Sequence, residues 1–231
     1  MAVAHSLNLW RTTLVYSMAY SLLALGDSYT IGEGVSPEES FPYQAVRLLQ
    51  NAGQSFRPPD ILARTGWTTD ELAAAMSRRH WEPPYDFVTL LIGVNNQYRG
   101  RDVEEYAGQF ESLLQEAMRL SGRQTTAGPR VFALSIPDWS VSPFAHTHLP
   151  DAKGRTRDDV ASAIDAFNAT ASGIARQYDV PFIDITTRGR AAGSDPELFV
   201  ADGLHPAAGM YKFWAEELAR SILQTQAHHS Q

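Results

Sequence analysis

The sequence predicts an α/β protein in three layers, with a five-stranded parallel sheet between two layers of helices. Three observations carry this. Five β-like runs alternate with segments of helical spacing. Three of the runs, residues 87–92, 131–134 and 180–183, are mainly apolar instead of alternating, as strands buried on both faces must be. The intervening segments carry apolar stripes that repeat every three or four residues. A strand–helix–strand order of this kind closes into a parallel sheet through right-handed crossovers.

Taken in order, the first strand covers residues 21–25 and runs straight into Gly26-Asp27-Ser28. The second covers residues 60–63. After it come Arg64-Thr65-Gly66-Trp67 and a helix capped by Thr68 or Thr69. The third, residues 86–92, leads into Gly93-Val94-Asn95-Asn96. A helix follows, with Val103, Tyr106, Phe110, Leu113, Ala117 and Leu120 on one stripe. The fourth strand is residues 130–136. Residues 137–155, rich in Pro, His, Asp and Ser, are the longest loop, and a loop of that length in a compact domain is often functional. Val160, Ile164, Phe167, Ala171, Ile174 and Tyr178 mark the next helix, and residues 180–185 the fifth strand. A last helix, opened by Pro206, carries Met210, Trp214, Leu218 and Ile222. Ligands bind such sheets beyond the carboxyl ends of the strands. Ser28, Asn95 and Asp138 each stand just after a strand, so the fold brings all three to one edge.

The chain of 231 residues can build one sizeable core, and residues 18–226 read as one domain. A net charge of -7 offers no footprint for nucleic acid or an anionic membrane. With no cysteine, disulfides, thiolate nucleophiles and Cys-based zinc sites are excluded. The apolar residues near the start are interrupted by Tyr16, Ser17, Tyr20 and Ser21 and are too few to span a bilayer. Cleaving them as a signal peptide would remove the strand behind Ser28. Residues 1–17 therefore read as an extension, with Met18 as the functional start, and residues 227–231 as a frayed end within a polar tail from Gln224. Without a convincing export signal, the expected compartment is the cytoplasm.

The chemistry-bearing residues stand at the two ends. Ser after a strand is most often a turn former or helix cap, and Gly-Asp-Ser alone is a weak signal. It is not a Gly-x-Ser-x-Gly elbow, because Thr30 takes the last position, and Gly32-Glu33-Gly34 is no dinucleotide fingerprint. In Asp202-Gly203-Leu204-His205, however, a carboxylate three residues before an imidazole can fold back onto its Nδ1. That fixes the tautomer and turns Nε2 toward a hydroxyl. Asn95 at the sheet edge can aim its amide at a developing oxyanion, and Gly66 lets a backbone N–H approach the same point. Trp67, Asn96, Tyr98, Trp139 and Phe144 are candidates for the pocket wall. His146-Thr147-His148 lacks the further ligands a metal needs and reads as solvated loop, as do Glu33, Glu38 and Glu39 as a surface face.

Ser28, Gly66, Asn95 and His205, in that order, resemble the four blocks of the SGNH (GDSL-type) esterase and lipase superfamily, over residues 21 to about 219. The resemblance implies a flavodoxin-like sandwich and ester hydrolysis without metal or cofactor. Ser28 would be the nucleophile, His205 the base and Asp202 its partner, with the Ser28 and Gly66 N–H groups and the Asn95 amide as the oxyanion hole. One position departs: the third block commonly reads Gly-x-Asn-Asp, and Asn96 replaces the acid. The expected activity is hydrolysis of a small-molecule ester of a short acyl group. A carbohydrate O-deacetylase or thioesterase would use the same machinery, and a non-catalytic binding module would keep only the sandwich. The sequence leaves the oligomeric state open.

Overall fold

A computed structural model describes residues 19–122, 130–193 and 195–227. The expected extension over residues 1–17, Met18 and His228-His229 lie outside the described residues. Five strands form one parallel sheet: β1 (Leu22–Asp27), β2 (Asp60–Arg64), β3 (Phe87–Leu91), β4 (Val131–Leu134) and β5 (Phe182–Ile183). Their order is β2-β1-β3-β4-β5, the flavodoxin-like arrangement. All six residues of β1 and all of β3 and β4 are buried, which explains their unbroken apolar runs.

Nine helices surround the sheet among the described residues. They are α1 (Ser28–Ile31), α2 (Phe41–Asn51), α3 (Thr69–Arg78), α4 (Val94–Arg99), α5 (Val103–Leu120), α6 (Pro143–His148), α7 (Arg157–Gln177), α8 (Thr186–Ala192) and α9 (Ala208–Ala227). On one face α2 packs against α9; on the other α5 packs against both α3 and α7. The stripes read from the sequence point inward: Tyr106, Phe110 and Leu120 from α5, Val160, Ile164 and Ala171 from α7, Trp214, Leu218 and Ile222 from α9 are all buried. Among the described residues, no helix is long and apolar enough to cross a membrane.

Five expectations need correction. β1 runs two residues further than its apolar run, because Gly26 and Asp27 stay in register with Ala63 and Arg64 of β2. β5 is only two residues long. Residues 137–155 are not wholly loop. The carboxylate of Asp138 caps a short turn at Trp139–Val141, and Ser142, followed by Pro143 in the first turn, starts α6. Pro206 does not open the last helix. It forms an antiparallel bridge with Phe199, and α9 begins at Ala208 and continues through residues 224–227, where fraying was expected.

The topology fixes where a ligand meets the sheet. From β1 the chain crosses one way to β2, then the other way to β3, so the crevice at the carboxyl ends of β1 and β3 lies between diverging connections. Gly26 pairs with Leu91. Ser28 and Gly93, two residues beyond that pair, therefore emerge on either side of this switch point.

Candidate active site

Ser28 is the first residue of α1, directly after the buried Asp27. The bend is very tight. A Cβ on Gly26 would collide with the Thr30 hydroxyl and with the Leu91 carbonyl, so only glycine fits there. Asp27 caps the turn by accepting the Tyr29 N–H at 3.0 Å. Burial pushes its carboxyl up to about 7, against the lowering effect of backbone donors and the Asn95 amide. As the first helical residue, Ser28 has an N–H with no acceptor within α1.

His205 lies on the loop before α9, far from Ser28 in sequence and next to it in space. Its Nε2 is 3.0 Å from Ser28 Oγ, and its Nδ1 is 2.6 Å from Asp202 Oδ2. The other oxygen of Asp202 accepts the N–H groups of Leu204 at 2.7 Å and His205 at 2.9 Å. Burial raises the Asp202 carboxyl, but the His205 side chain, the two backbone donors and the imidazole charge together hold it below the ordinary range. The loop is locked from outside as well. Val200 N–H donates to the His205 carbonyl at 2.9 Å, and Gly203 N–H to the Val200 carbonyl at 2.8 Å. The imidazole packs on the buried ring of Tyr29, 5.3 Å between centroids.

Across the cleft stands α4. Asn95 Nδ2 donates to the Trp67 carbonyl at 3.0 Å and only loosely, at 3.5 Å, to Asp27, leaving one of its hydrogens weakly held. Gly66 sits at φ +83°, in a turn closed by Trp67 N–H on the Arg64 carbonyl at 3.2 Å. One turn further along α4, Arg99 donates to the Gly66 carbonyl at 2.6 Å. The same helix thus presents the Asn95 amide and clamps the loop that carries the Gly66 N–H.

The cleft has a volume of about 200 Å³ and is lined by Ser28, Tyr29, Thr65, Gly66, Val94, Asn95, Tyr98, Trp139, Leu204 and His205. Three pocket candidates fall outside this lining. Asn96 is fully buried under α3. It accepts the Thr69 N–H at 3.1 Å and donates to Thr69 Oγ at 2.7 Å. The Thr69 hydroxyl donates in turn to Gln109, so the amide in place of the expected acid leaves no polar group unpaired. Trp67 contributes its backbone carbonyl to Asn95, while its side chain packs on the core. Phe144 lines a neighbouring hollow. Asp138 is also at the sheet edge, but its buried carboxylate is taken up by Arg190 Nε at 2.7 Å and Ser140 N–H at 2.9 Å.

Tyr29, Thr65, Val94 and Leu204 are wall residues that no motif singled out. Each is the immediate chain neighbour of a motif residue, which was the available signal. His146 and His148 are exposed on α6, and among the described residues no three potential metal ligands converge.

The fold is shared with solved hydrolases. A lipase/acylhydrolase from Enterococcus faecalis superposes with a TM-score of 0.67 at 18% identity, over 88% of this chain and 95% of that one. The psychrotrophic esterase EstA from Pseudoalteromonas sp. gives 0.62 at 17% identity, over 88% and 97%. An acetylxylan esterase from Geobacillus stearothermophilus gives 0.63 at 19%, over 90% and 95%. No curated protein is significantly similar in sequence. The model of the GDSL-like lipase/acylhydrolase family matches residues 24–213, a span that holds both ends of the Ser28–His205–Asp202 chain of hydrogen bonds. The protein therefore belongs to the GDSL-like lipase/acylhydrolase family.

Proposed function

We propose that this protein hydrolyses carboxylic esters of small acyl groups through an acyl-enzyme on Ser28. The observation that carries this is the unbroken relay from Asp202 through His205 to Ser28, with contacts of 2.6 and 3.0 Å. His205 Nε2 takes the hydroxyl proton as Ser28 Oγ bonds to the ester carbonyl carbon. The carbonyl electron pair moves onto oxygen, where the Ser28 and Gly66 N–H groups and the Asn95 amide hold it. The bond to the alkoxy oxygen then breaks, and that oxygen leaves with the proton from His205. Water adds to the acyl-enzyme by the same steps and releases the acid and Ser28. Asp202 stays ionised throughout, holding Nδ1 protonated and stabilising the imidazolium.

The cleft volume supports a short acyl group. At about 200 Å³ it is smaller than the ~300–1,000 Å³ of pockets that enclose drug-sized ligands. Tyr29, Val94 and Leu204 give it apolar walls. The reading treats residues 18–226 as one hydrolase domain.

Fluorophosphonate labelling tests the assignment. The wild-type chain should be labelled on Ser28, with acetate esters cleaved faster than long-chain esters. Ser28→Ala should lose the label and about 10⁴–10⁶-fold of turnover while keeping its melting temperature. A label on another residue, or near-normal turnover of the variant, would overturn the proposal.

A further inference from the structure

Beside the Ser28 cleft lies a second hollow of about 300 Å³, lined by Tyr98, Trp139, Phe144, His148, Leu149 and Ala152 among others. Tyr98 and Trp139 line both, so the two spaces are adjoining parts of one groove. We infer that the second hollow is the subsite for the alcohol part of the ester, and that this alcohol is a sugar ring. The inference rests on the esterase reading above and narrows its substrate to acylated carbohydrates.

The hollow adjoins the cleft through Tyr98 and Trp139, and one of its walls is tied to the His205 loop. The leaving oxygen must reach His205 Nε2, across the cleft from the Gly66 and Asn95 donors. The helix that carries Phe144 is fastened to the His205 loop itself, through Phe144 N–H on the Gly203 carbonyl at 2.9 Å. A group attached to the leaving oxygen thus has beside it the hollow between Tyr98 of α4 and α6.

The walls suit a ring with apolar faces and polar edges. Tyr98 is 46% exposed, the one large apolar side chain so exposed among the described residues. Its ring meets Trp139 edge-on at 5.4 Å, and Trp139 meets Phe144 at 6.3 Å. Phe144 and His148 stack at 3.8 Å with nearly parallel rings. Trp139 is buried and backs the wall, and the Arg155 guanidinium covers one side of the Tyr98 ring at 5.8 Å. The exposed remainder of Tyr98 is aromatic surface of the kind that packs against the C–H face of a pyranose. The Tyr98 hydroxyl and the His148 imidazole add polar groups to the lining. The His148 Nδ1 is engaged by the Phe144 carbonyl and the Thr147 hydroxyl, which fixes the ring.

Other alcohols and thiols fit less well. No Lys or Arg lines the hollow, and its one charged lining group, Asp151, is paired with Arg155, so the phosphates of a nucleotide thioester would meet no uncommitted cation on its walls. Arg155, nearby, is committed to Asp151 at 2.7 Å and to the Tyr98 carbonyl at 3.1 Å. The lining also includes Asp151 and His148, whereas a long alkyl chain gains from apolar surface without such groups. Those same Arg155 contacts and the Ser142 cap on Ala145 N–H hold the walls in place without a ligand.

The test compares kcat/KM for an acetylated methyl pyranoside with that for ethyl acetate, and adds acetyl-CoA. Both acetates present the same acyl group, so their ratio reads the alcohol subsite alone. The wild-type ratio should strongly favour the sugar, and should fall roughly tenfold or more in Phe144→Ala. Ala152→Trp gives a second route. Ala152 is exposed, so the new ring fills the hollow without entering the core, and the ratio should fall again. A wild-type ratio near one, a ratio unmoved by both variants, or a preference for acetyl-CoA overturns the subsite. If Ser28 is labelled and ethyl acetate is cleaved in that case, the esterase reading stands alone. Failure to label Ser28 or to cleave any ester overturns both.

Discussion

Ser28 and His205 meet at 3.0 Å, yet they are held by opposite means. Ser28 is anchored by the sheet. It follows a strand paired on both sides, behind a glycine that no other residue can replace and a carboxyl with no exposure at all. His205 is anchored by a loop at the surface. The Asp202 side chain that orients it is 45% exposed, and the loop's order comes from its own hydrogen bonds. Ser28 is therefore placed by burial, which makes its position costly to change and its neighbours hard to substitute. His205 is placed by local bonds, which can be altered one at a time without unfolding the sheet. Substitutions on the two arms should separate accordingly: activity without stability on the His205 side, stability at the buried residues that frame Ser28, Gly26 and Asp27.

After removal of the Ser28 hydroxyl itself, the largest expected effect is on the loop arm. In Asp202→Asn, one amide oxygen can still accept from Leu204 and His205, so the loop should persist. The amide nitrogen then faces His205 Nδ1 as a donor. That selects the tautomer protonated on Nε2, which cannot take the Ser28 proton. Turnover should fall by about 10³–10⁴-fold with an unchanged melting temperature. Equal loss of activity and of stability would erase the distinction between the arms.

On the sheet arm the sharper probe is stability against pH. Burial holds the Asp27 carboxyl up to about 7, while the unfolded chain ionises it near 3.8. Between those values the unfolded chain binds fewer protons than the folded one, so stability falls as pH rises and levels off above about 7. At about 1.4 kcal/mol per unit, the loss attributable to Asp27 is about 4 kcal/mol. Asp27→Asn keeps an oxygen for the Tyr29 N–H and has no proton to lose. Denaturant titrations from pH 4 to pH 8 should show the decline in the wild type and a flatter curve in the variant. Parallel curves would remove Asp27 as the cause.

The same contrast governs what can be read from the letters. Strands buried on both faces declare themselves through apolar runs, as β1, β3 and β4 do; the edge strands β2 and β5, only partly buried, were legible through the alternation of strand and helix. The end of β1 was not, because Gly26 and Asp27 look like turn residues although Asp27 is paired with Arg64 of β2. Long helices with a single apolar stripe were legible too. The shorter α6 was hidden in a segment whose Ser, Pro and His resemble a loop, since its start depends on Ser142 and Pro143 occupying a cap and a first turn. The motif residues of the cleft were legible because each has a distinct polar group. Its wall was not. Asn96 and Trp67 adjoin the right motifs but turn toward α3 and the core, and a side chain's direction at a helix start or in a turn is decided by packing.

Asn95 links the two arms, because it touches the carbonyl beyond Gly66 and the Asp27 carboxyl while facing the cleft. Asn95→Ala removes a donor that matters most when the carbonyl oxygen becomes negative, so it should lower kcat by about 10²–10³-fold and leave KM nearly unchanged. Some stability should go as well, since the Trp67 carbonyl loses its partner. The Arg99 bond to Gly66 still holds the loop, so that loss should be about 1 kcal/mol. Measuring kcat, KM and the denaturation midpoint on one preparation separates the possibilities. A rise in KM with kcat preserved would make Asn95 a ground-state contact. A collapse of the midpoint would place it with the buried arm, as a strut for the Gly66 loop instead of a donor to the oxyanion.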